Sequence, residues 1–478
     1  MKKINLNKFS VLLVLYLLIQ PLLDVITGWQ VKLLPHFGLT VGVVVRAIML
    51  VVILYFINLA AKARANWFDR HLWQYFLLLV IIIVINLVVN KFNKPVFATF
   101  TELSAIFKSV HYLVILIGFY YVFRNLRAKQ IKALIPTVIY WAQMIVNVVM
   151  LAASLTNSGF ATYDQGKVGQ TGWFNAGNEL GAILAITFPL VILYALQKSQ
   201  EQGQFWSWIG VVLSVISIIM VGTKSCFYGM LIGLFFALIY QILAYRFWSL
   251  SKIAKKSLKI NFLITCLLGL SIAVVYPASP VHTNSVIQAK IIKNNQLNKK
   301  KLLRKSRHKK HLDHYERFLL SNNELSNPLL AKLLSGRTNY FNFNSRHFAK
   351  APLIQKLFGM GYGSNYKKHP RTVEMDLFDL FFQFGIIGFI VVILPLLVSL
   401  LYLAFQLLRH WTSRNIQTNL LYFAAIAIGI FMSVLAGHVL NAPAVNIYFS
   451  FICAYLLVMV QEPTTYSNSR FYNNETIG

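Results

Sequence analysis

Glu374, Asp376 and Asp379 put three of the chain's 14 acidic residues within six positions, at the front of the apolar run VEMDLFDLFFQFGIIGF (373–389). A carboxylate can take a proton from an attacking hydroxyl. Near its ordinary pKa of about 4.3 it is a weak base unless burial raises that value. Glu374 is the candidate for this role. The plainer alternative is that acids at a helix N-terminus stabilise its dipole by roughly 0.3–1 kcal/mol. Asp376 and Asp379, spaced i and i+3, share a helix face and suit that purpose or the holding of a basic loop. The matching cations are Arg337 and Arg346, in the aromatic-rich LLSGRTNYFNFNSRHFAKAPLIQKLFG (333–359). Arginine's planar fork fits phosphate oxygens, although a surface arginine needs no such duty.

The surrounding composition says what must position these groups. The chain is 57% hydrophobic and 12% charged, against roughly 25% charged in an ordinary soluble domain. Apolar runs of about 18 or more residues recur, each long enough to cross roughly 30 Å of hydrocarbon. The expected fold is therefore an all-α polytopic membrane protein. About twelve transmembrane helices are expected, near 9–27, 39–60, 72–90, 105–123, 133–155, 177–197, 205–222, 225–244, 260–277, 376–405, 418–437 and 443–461. The basic start with its apolar core reads as an uncleaved first helix. Cys226, Cys266 and Cys453 lie in apolar runs without metal-like spacing, so no metal or disulfide framework is expected.

Short-loop basic residues orient the spans. Lys62, Arg64, Arg70, Arg124, Arg127, Lys129, Lys132, Arg246, Lys252 and their equivalents bring roughly 18 charges to one side, against about six on the other. Both termini are thereby expected in the cytoplasm and residues 278–373 outside. The domain organisation follows: 1–277 as nine helices, 278–373 as a large basic loop with short helices, 374–461 as three further helices and 462–478 as a polar tail.

Ionisable residues inside spans cost about 2.5–3.5 kcal/mol each at a helix centre on insertion scales. Asp24, Arg46, Lys108, His111, Asn178 with Glu179, Lys224 and His438 all fall in the outer half on this topology. Snorkelling and pairing, such as Arg46 with Asp24, would account for any one of them. The bias of the whole set points to a polar chamber opening outward, whereas transporters tend to place such groups near the midplane.

Within the long loop, KKKLLRKSRHKKH (299–311) reads first as a solvated charge run. Its functional alternative is attraction of anionic lipid headgroups or wall polymers. Nucleic acid is an improbable partner outside the cell. The glycines of FGMGYGS (358–364) follow no βαβ pattern and read as tight turns or a close ligand approach rather than a nucleotide site.

Taken in order, FNAGNELGAI (174–183), GTKSCFYGMLIG (222–233), LSGRTNYF (334–341), LFGMGYGS (357–364) and the closing Gly-Ile-Ile-Gly (385–388) resemble the O-antigen ligase and O-antigen polymerase (Wzy-type) family of polysaccharide-assembly enzymes. The resemblance covers most of the chain from about residue 170 and implies a GT-C-like bundle. One departure matters. Eleven residues before Gly385, where many members carry His-Asn, this chain has Glu374 and Met375. A histidine base cannot be carried to that position, and His369 lies five residues earlier.

The resemblance implies a donor glycan on undecaprenyl diphosphate in the outer leaflet of the plasma membrane. Its acceptor would be a glycan or wall-polymer hydroxyl, and other polysaccharide-assembly proteins could be partners. Arg46, Lys224 and Arg337, with Arg346, become candidate diphosphate contacts, while Asn178, Asp379 and His438 are further substrate contacts. No cofactor or metal is called for. The alternatives are a flippase or transporter for lipid-linked oligosaccharides and a non-catalytic scaffold. Polymerase and ligase share this architecture and are not separated by it.

Overall fold

The computed structural model describes residues 6–34, 39–64, 67–126, 128–163, 166–305 and 337–461. Lys2, Lys3, Arg127, the 306–311 part of the basic run, the Leu334–Gly336 part of the Ser-Gly-Arg motif and the 462–478 tail lie outside them.

Sixteen α-helices follow one another among the described residues. They are α1 (Leu6–Leu33), α2 (Val41–Arg64), α3 (Trp67–Asn93), α4 (Thr99–Asn125), α5 (Ala128–Leu155) and α6 (Gly177–Gln202). A 3-10 turn leads into α7 (Trp208–Val221), then α8 (Lys224–Phe247), α9 (Lys252–Val275) and α10 (Pro280–Lys305). Two shorter helices, α11 (Arg337–Lys350) and α12 (Leu353–Phe358), precede α13 (Asp376–Arg409), α14 (Arg414–Thr418), α15 (Leu420–Leu435) and α16 (Pro443–Gln461). The described residues contain no strand, only an isolated bridge between Ala161 and Gln170.

Ten of these helices are long and apolar enough to cross a membrane, and Phe205–Val221 and Leu420–Leu435 are shorter apolar helices. The protein is an all-α polytopic membrane protein. Its centre is α4, α6 and α16, whose most apolar stretches are 78, 89 and 89% buried, while those of α2, α9 and α13 are 28, 28 and 22% buried and face outward. Exposed Leu, Ile and Val on α2 and α13 are thus the surface expected against lipid rather than a packing defect.

Helix limits differ from the sequence expectation where polar residues continue a helix beyond its apolar part. Helix α4 begins at Thr99, six residues before the expected start, and so takes in Glu102. The basic run also begins inside a helix. Ser279 Oγ accepts from the His282 N–H at 3.2 Å, Pro280 opens α10, and no Gly or Pro interrupts the following 25 residues. At its start α10 is fastened by Asn284, which donates to the Val168 and Gly222 carbonyls at 2.6 and 3.0 Å.

The feature that organises the candidate site is a break in α13. Gly385 adopts φ 69°, ψ −172°, a conformation open to glycine because it has no Cβ. The freed carbonyls of Phe382 and Gln383 accept from the Met360 and Gly361 N–H groups at 2.9 and 3.1 Å. Asn86 on α3 donates to the Gln383 and Phe358 carbonyls as well. The glycine segment is therefore a packing device, docked backbone to backbone into the broken helix. A Cβ on Gly359 would lie 2.0 Å from the Gln383 carbonyl oxygen. Gly359→Ala is expected to cost at least about 1–3 kcal/mol through strain and overpacking. It should lower the thermal midpoint of the detergent-purified protein, whereas Gly269→Ala, with nothing within 4 Å of the added carbon, should leave it unchanged.

Candidate functional site

The described parts of the connections α1–α2, α3–α4, α5–α6, α7–α8 and α15–α16 and the 359–375 loop meet at one end of the bundle. Helix α11 is laid over this end by an aromatic contact. Phe341 packs on Phe378 and Phe382, and Phe348 on Phe381 and Phe382. Around them Ala351, Met360, Val373 and Met375 form a small second core. Asn344 donates to the Arg371 carbonyl at 3.0 Å and ties the far side of the loop to α11.

That docking brings Arg337 and Glu374 together. Arg337 Nε donates to the Glu374 carbonyl at 3.0 Å and Nη2 to the Ala436 carbonyl at 3.2 Å. Nη2 also lies 3.6 Å from the Glu374 carboxylate, whose side chain is 43% exposed against 13% for the arginine. Glu374 sits at φ 62°, a left-handed conformation uncommon outside glycine, so its side chain is aimed by strained backbone. Lys167, held over the Tyr163 ring at 4.9 Å, stands in the field of Arg337. Burial first, and then the arginine's charge, pull its pKa below the ordinary lysine value.

Lys224 opens α8 and donates from Nζ to Gln288 Oε1 on α10. Thr162 Oγ1 donates to the Val221 carbonyl at 2.9 Å. These bonds tie the 160–170 loop, the α7–α8 turn and α10 into one wall, with Lys167 on the Arg337 side of it.

Arg46 occupies a different place. Its Nη2 pairs with Asp24 at 2.5 Å and its Nε donates to Gln20 at 3.1 Å, the pairing that sequence spacing allows. It lines a cavity of about 300 Å³ with Asp24, Thr27, Ser104, Phe107, Lys108, Asn175 and Glu179. Glu179 lies in the fields of His438, Asp24, Arg46 and Lys108. Asn178, next to Glu179, is exposed and is not part of that lining. Arg346 is exposed on α11, more than two helical turns from Arg337.

The other acids of the opening motif make backbone contacts. Asp376, 2% exposed, accepts from the N–H groups of His438, Val439 and Leu440 at 3.0, 2.8 and 2.8 Å. Asp379 accepts from the Val373 N–H at 2.6 Å. The two fix the approach to Glu374 and the α15–α16 turn, the holding role that their i, i+3 spacing allows. His438, at φ 63°, presents a buried Nε2 without a hydrogen-bond partner among the described residues, and it reaches both Glu179 and Asp376 electrostatically.

Sequence reasoning missed one pair that holds all this in place. Lys94 donates to Glu102 with both side chains at most 2% exposed. Lys94 Nζ also donates to the Tyr362 carbonyl at 2.8 Å, and Glu102 Oε2 accepts the Tyr362 N–H at 2.8 Å. The scarcity of acids was the available signal, but the expected start of helix four at 105 left Glu102 in a loop. Among the described residues no three His, Cys, Asp or Glu side chains group as metal ligands.

Cations, carboxylates and a histidine whose Nε2 has no hydrogen-bond partner among the described residues gather at one end of a multi-pass helical bundle. The family that this chain matches implies a membrane enzyme of the glycosyl-transfer type. The chain belongs to the O-antigen ligase like membrane protein family, which it matches over residues 6–463. Membership makes it a component of polysaccharide assembly acting on lipid-linked glycan and polysaccharide substrates in a membrane. No curated protein matches the chain.

Removing one partner of a buried pair costs about 3–5 kcal/mol because the other charge is left uncompensated. Lys94→Met is expected to destabilise the detergent-purified protein by about that much. Lys94→Met with Glu102→Gln, which removes the charge and keeps an acceptor for Tyr362, should recover most of the loss in a thermal-shift measurement.

Proposed function

We propose that the protein transfers an oligosaccharide from undecaprenyl diphosphate to a glycan or wall-polymer hydroxyl at the outer face of the plasma membrane. The observation that carries this reading is the meeting of Arg337 and Glu374: a cation from α11 and a half-exposed carboxylate on strained backbone, 3.6 Å apart. In the reaction the acceptor oxygen attacks the anomeric carbon of the donor. The bond from that carbon to the diphosphate breaks and its electron pair leaves on the diphosphate. The hydroxyl proton passes to Glu374, so a new glycosidic bond and undecaprenyl diphosphate are the products.

Arg337 and Lys167 are the cations for the diphosphate, with Lys224 on the adjoining wall. Lys167's pKa is lowered first by burial and then by the charge of Arg337, and a bound anion would draw that value back up. Positioning and charge stabilisation would supply most of the acceleration, because diphosphate already leaves readily. Glu374 takes the place that histidine holds in many relatives of this kind, with a carboxylate for an imidazole.

The clustering of charge at one end of the bundle, rather than midway along the spans, favours transfer over the flippase alternative. In membranes supplied with lipid-linked repeat units, Glu374→Gln should lower product formation by about 10²–10⁴-fold at normal protein level. Arg337→Ala should lower it by about 10²–10³-fold. Near-wild-type product from Glu374→Gln would remove the base from this scheme. Sizing surface polysaccharide after deletion separates the two reactions: single repeat units left behind mark a polymerase, and full-length unattached chains mark a ligase.

A further inference from the structure

The cavity around Arg46 is unlike a diphosphate site. Among the described residues its charged lining is Arg46 and Lys108 against Asp24 and Glu179, so these formal charges cancel. The most buried cation, Arg46, is also the one most completely engaged, by Asp24 at 2.5 Å and Gln20 at 3.1 Å. An entering dianion would meet two carboxylates and would have to compete with Asp24 for the guanidinium. Desolvating such a ligand without a surplus of positive charge is unfavourable.

What remains to a ligand is a set of hydrogen-bonding groups and aromatic walls. Asn175 and Glu179 stand at the start of α6, Ser104 on α4 and Thr27 on α1, with Phe100, Phe107 and Phe174 beside them. Asn175 is exposed and Glu179 half-buried, so both are open to an incoming molecule. A mostly apolar cavity of about 300 Å³, with a few convergent polar groups, lies at the small end of the range for ligand sites. Amides and carboxylates that accept and donate around apolar ring faces match the hydroxyls and C–H faces of a sugar.

We propose that this cavity is a subsite for an uncharged sugar residue of the glycan substrate, separate from the cations around Arg337. The assignment rests on the transfer reading above and deepens it. Arg46 thereby becomes a positioning residue that holds Asp24 at the sugar, not a phosphate contact. The sugar could come from the free end of the acceptor or from the first residue of the donor, which present the same chemistry.

The test uses the full-length protein in detergent and three probes. These are short oligosaccharides from limited acid hydrolysis of the host's surface polysaccharide, undecaprenyl diphosphate without sugar, and the lipid-linked repeat unit. Ser104→Trp, which fills the cavity, and Asn175→Ala, at an exposed loop position, are compared with wild type. A loss of at least tenfold in free-oligosaccharide affinity for Ser104→Trp, and of several-fold for Asn175→Ala, with undecaprenyl diphosphate binding within twofold of wild type, supports an acceptor sugar there. The same loss confined to the gain that the lipid-linked unit shows over undecaprenyl diphosphate supports a donor sugar. Retained undecaprenyl diphosphate binding also reports that the variants are folded.

The proposal is overturned if wild type binds no glycan beyond the lipid diphosphate, if neither variant changes any glycan affinity, or if the variants weaken undecaprenyl diphosphate instead. Failure of wild type to bind undecaprenyl diphosphate, with glycan binding intact and sensitive to Ser104→Trp, would sink the transfer reading and leave the sugar subsite standing.

Discussion

A helix interrupted within a bilayer exposes carbonyls that hydrocarbon cannot satisfy, and the interruption of α13 at Gly385 is where this chain meets that requirement. The N–H groups of Met360 and Gly361 and the amide of Asn86 satisfy it. Because the donors come from the loop itself, satisfying the break also positions the loop. Lys94 and Glu102 then grip both backbone groups of Tyr362, and Asp379 takes the Val373 N–H. By the time the chain reaches Glu374 little freedom is left, which is how a non-glycine residue is held at φ 62°.

The same logic sorts the acids. In a chain with 45 Lys and Arg against 14 Asp and Glu, most described carboxylates near the site end have fixed structural partners. Asp24 holds Arg46, Glu102 holds Lys94, Asp376 gathers three backbone N–H groups, and Asp379 closes the turn before α13. Glu374 and Glu179 differ in keeping accessible side chains. One faces Arg337 and the other lines the cavity around Arg46. His438 lies between these regions in chain and in field, two residues from the carbonyl that Arg337 binds and within reach of Glu179.

Much of this could be read before any coordinates. The apolar class and most helix positions follow from hydropathy, and spacing offered the pairing of Arg46 with Asp24 as the plain alternative to a phosphate contact. The motif residues around Gly222, Arg337 and Gly359 carry the resemblance, and the family itself matches over residues 6–463. Reading failed at polar helix ends, as with α4 and α10, because hydropathy stops reporting helix where lipid stops covering it. It also failed to divide the candidate phosphate contacts. Arg46, Lys224 and Arg337 stand alike on paper with Arg346 behind them, yet Arg46 is paired with Asp24, Lys224 is bonded to Gln288, Arg337 faces Glu374 and Arg346 is exposed on α11.

By itself, then, the sequence determined that this is a many-helix membrane protein with few charged residues inside its apolar runs. Those properties are sums over local residues, and lipid enforces them wherever the chain goes. Only the tertiary structure decided which of the described carboxylates stay accessible, which cation is paired and what the glycines are for. Those outcomes depend on partners such as Asn86 and Gln383, 297 positions apart, and in a close-packed bundle a charge is defined by its neighbour rather than by its own identity.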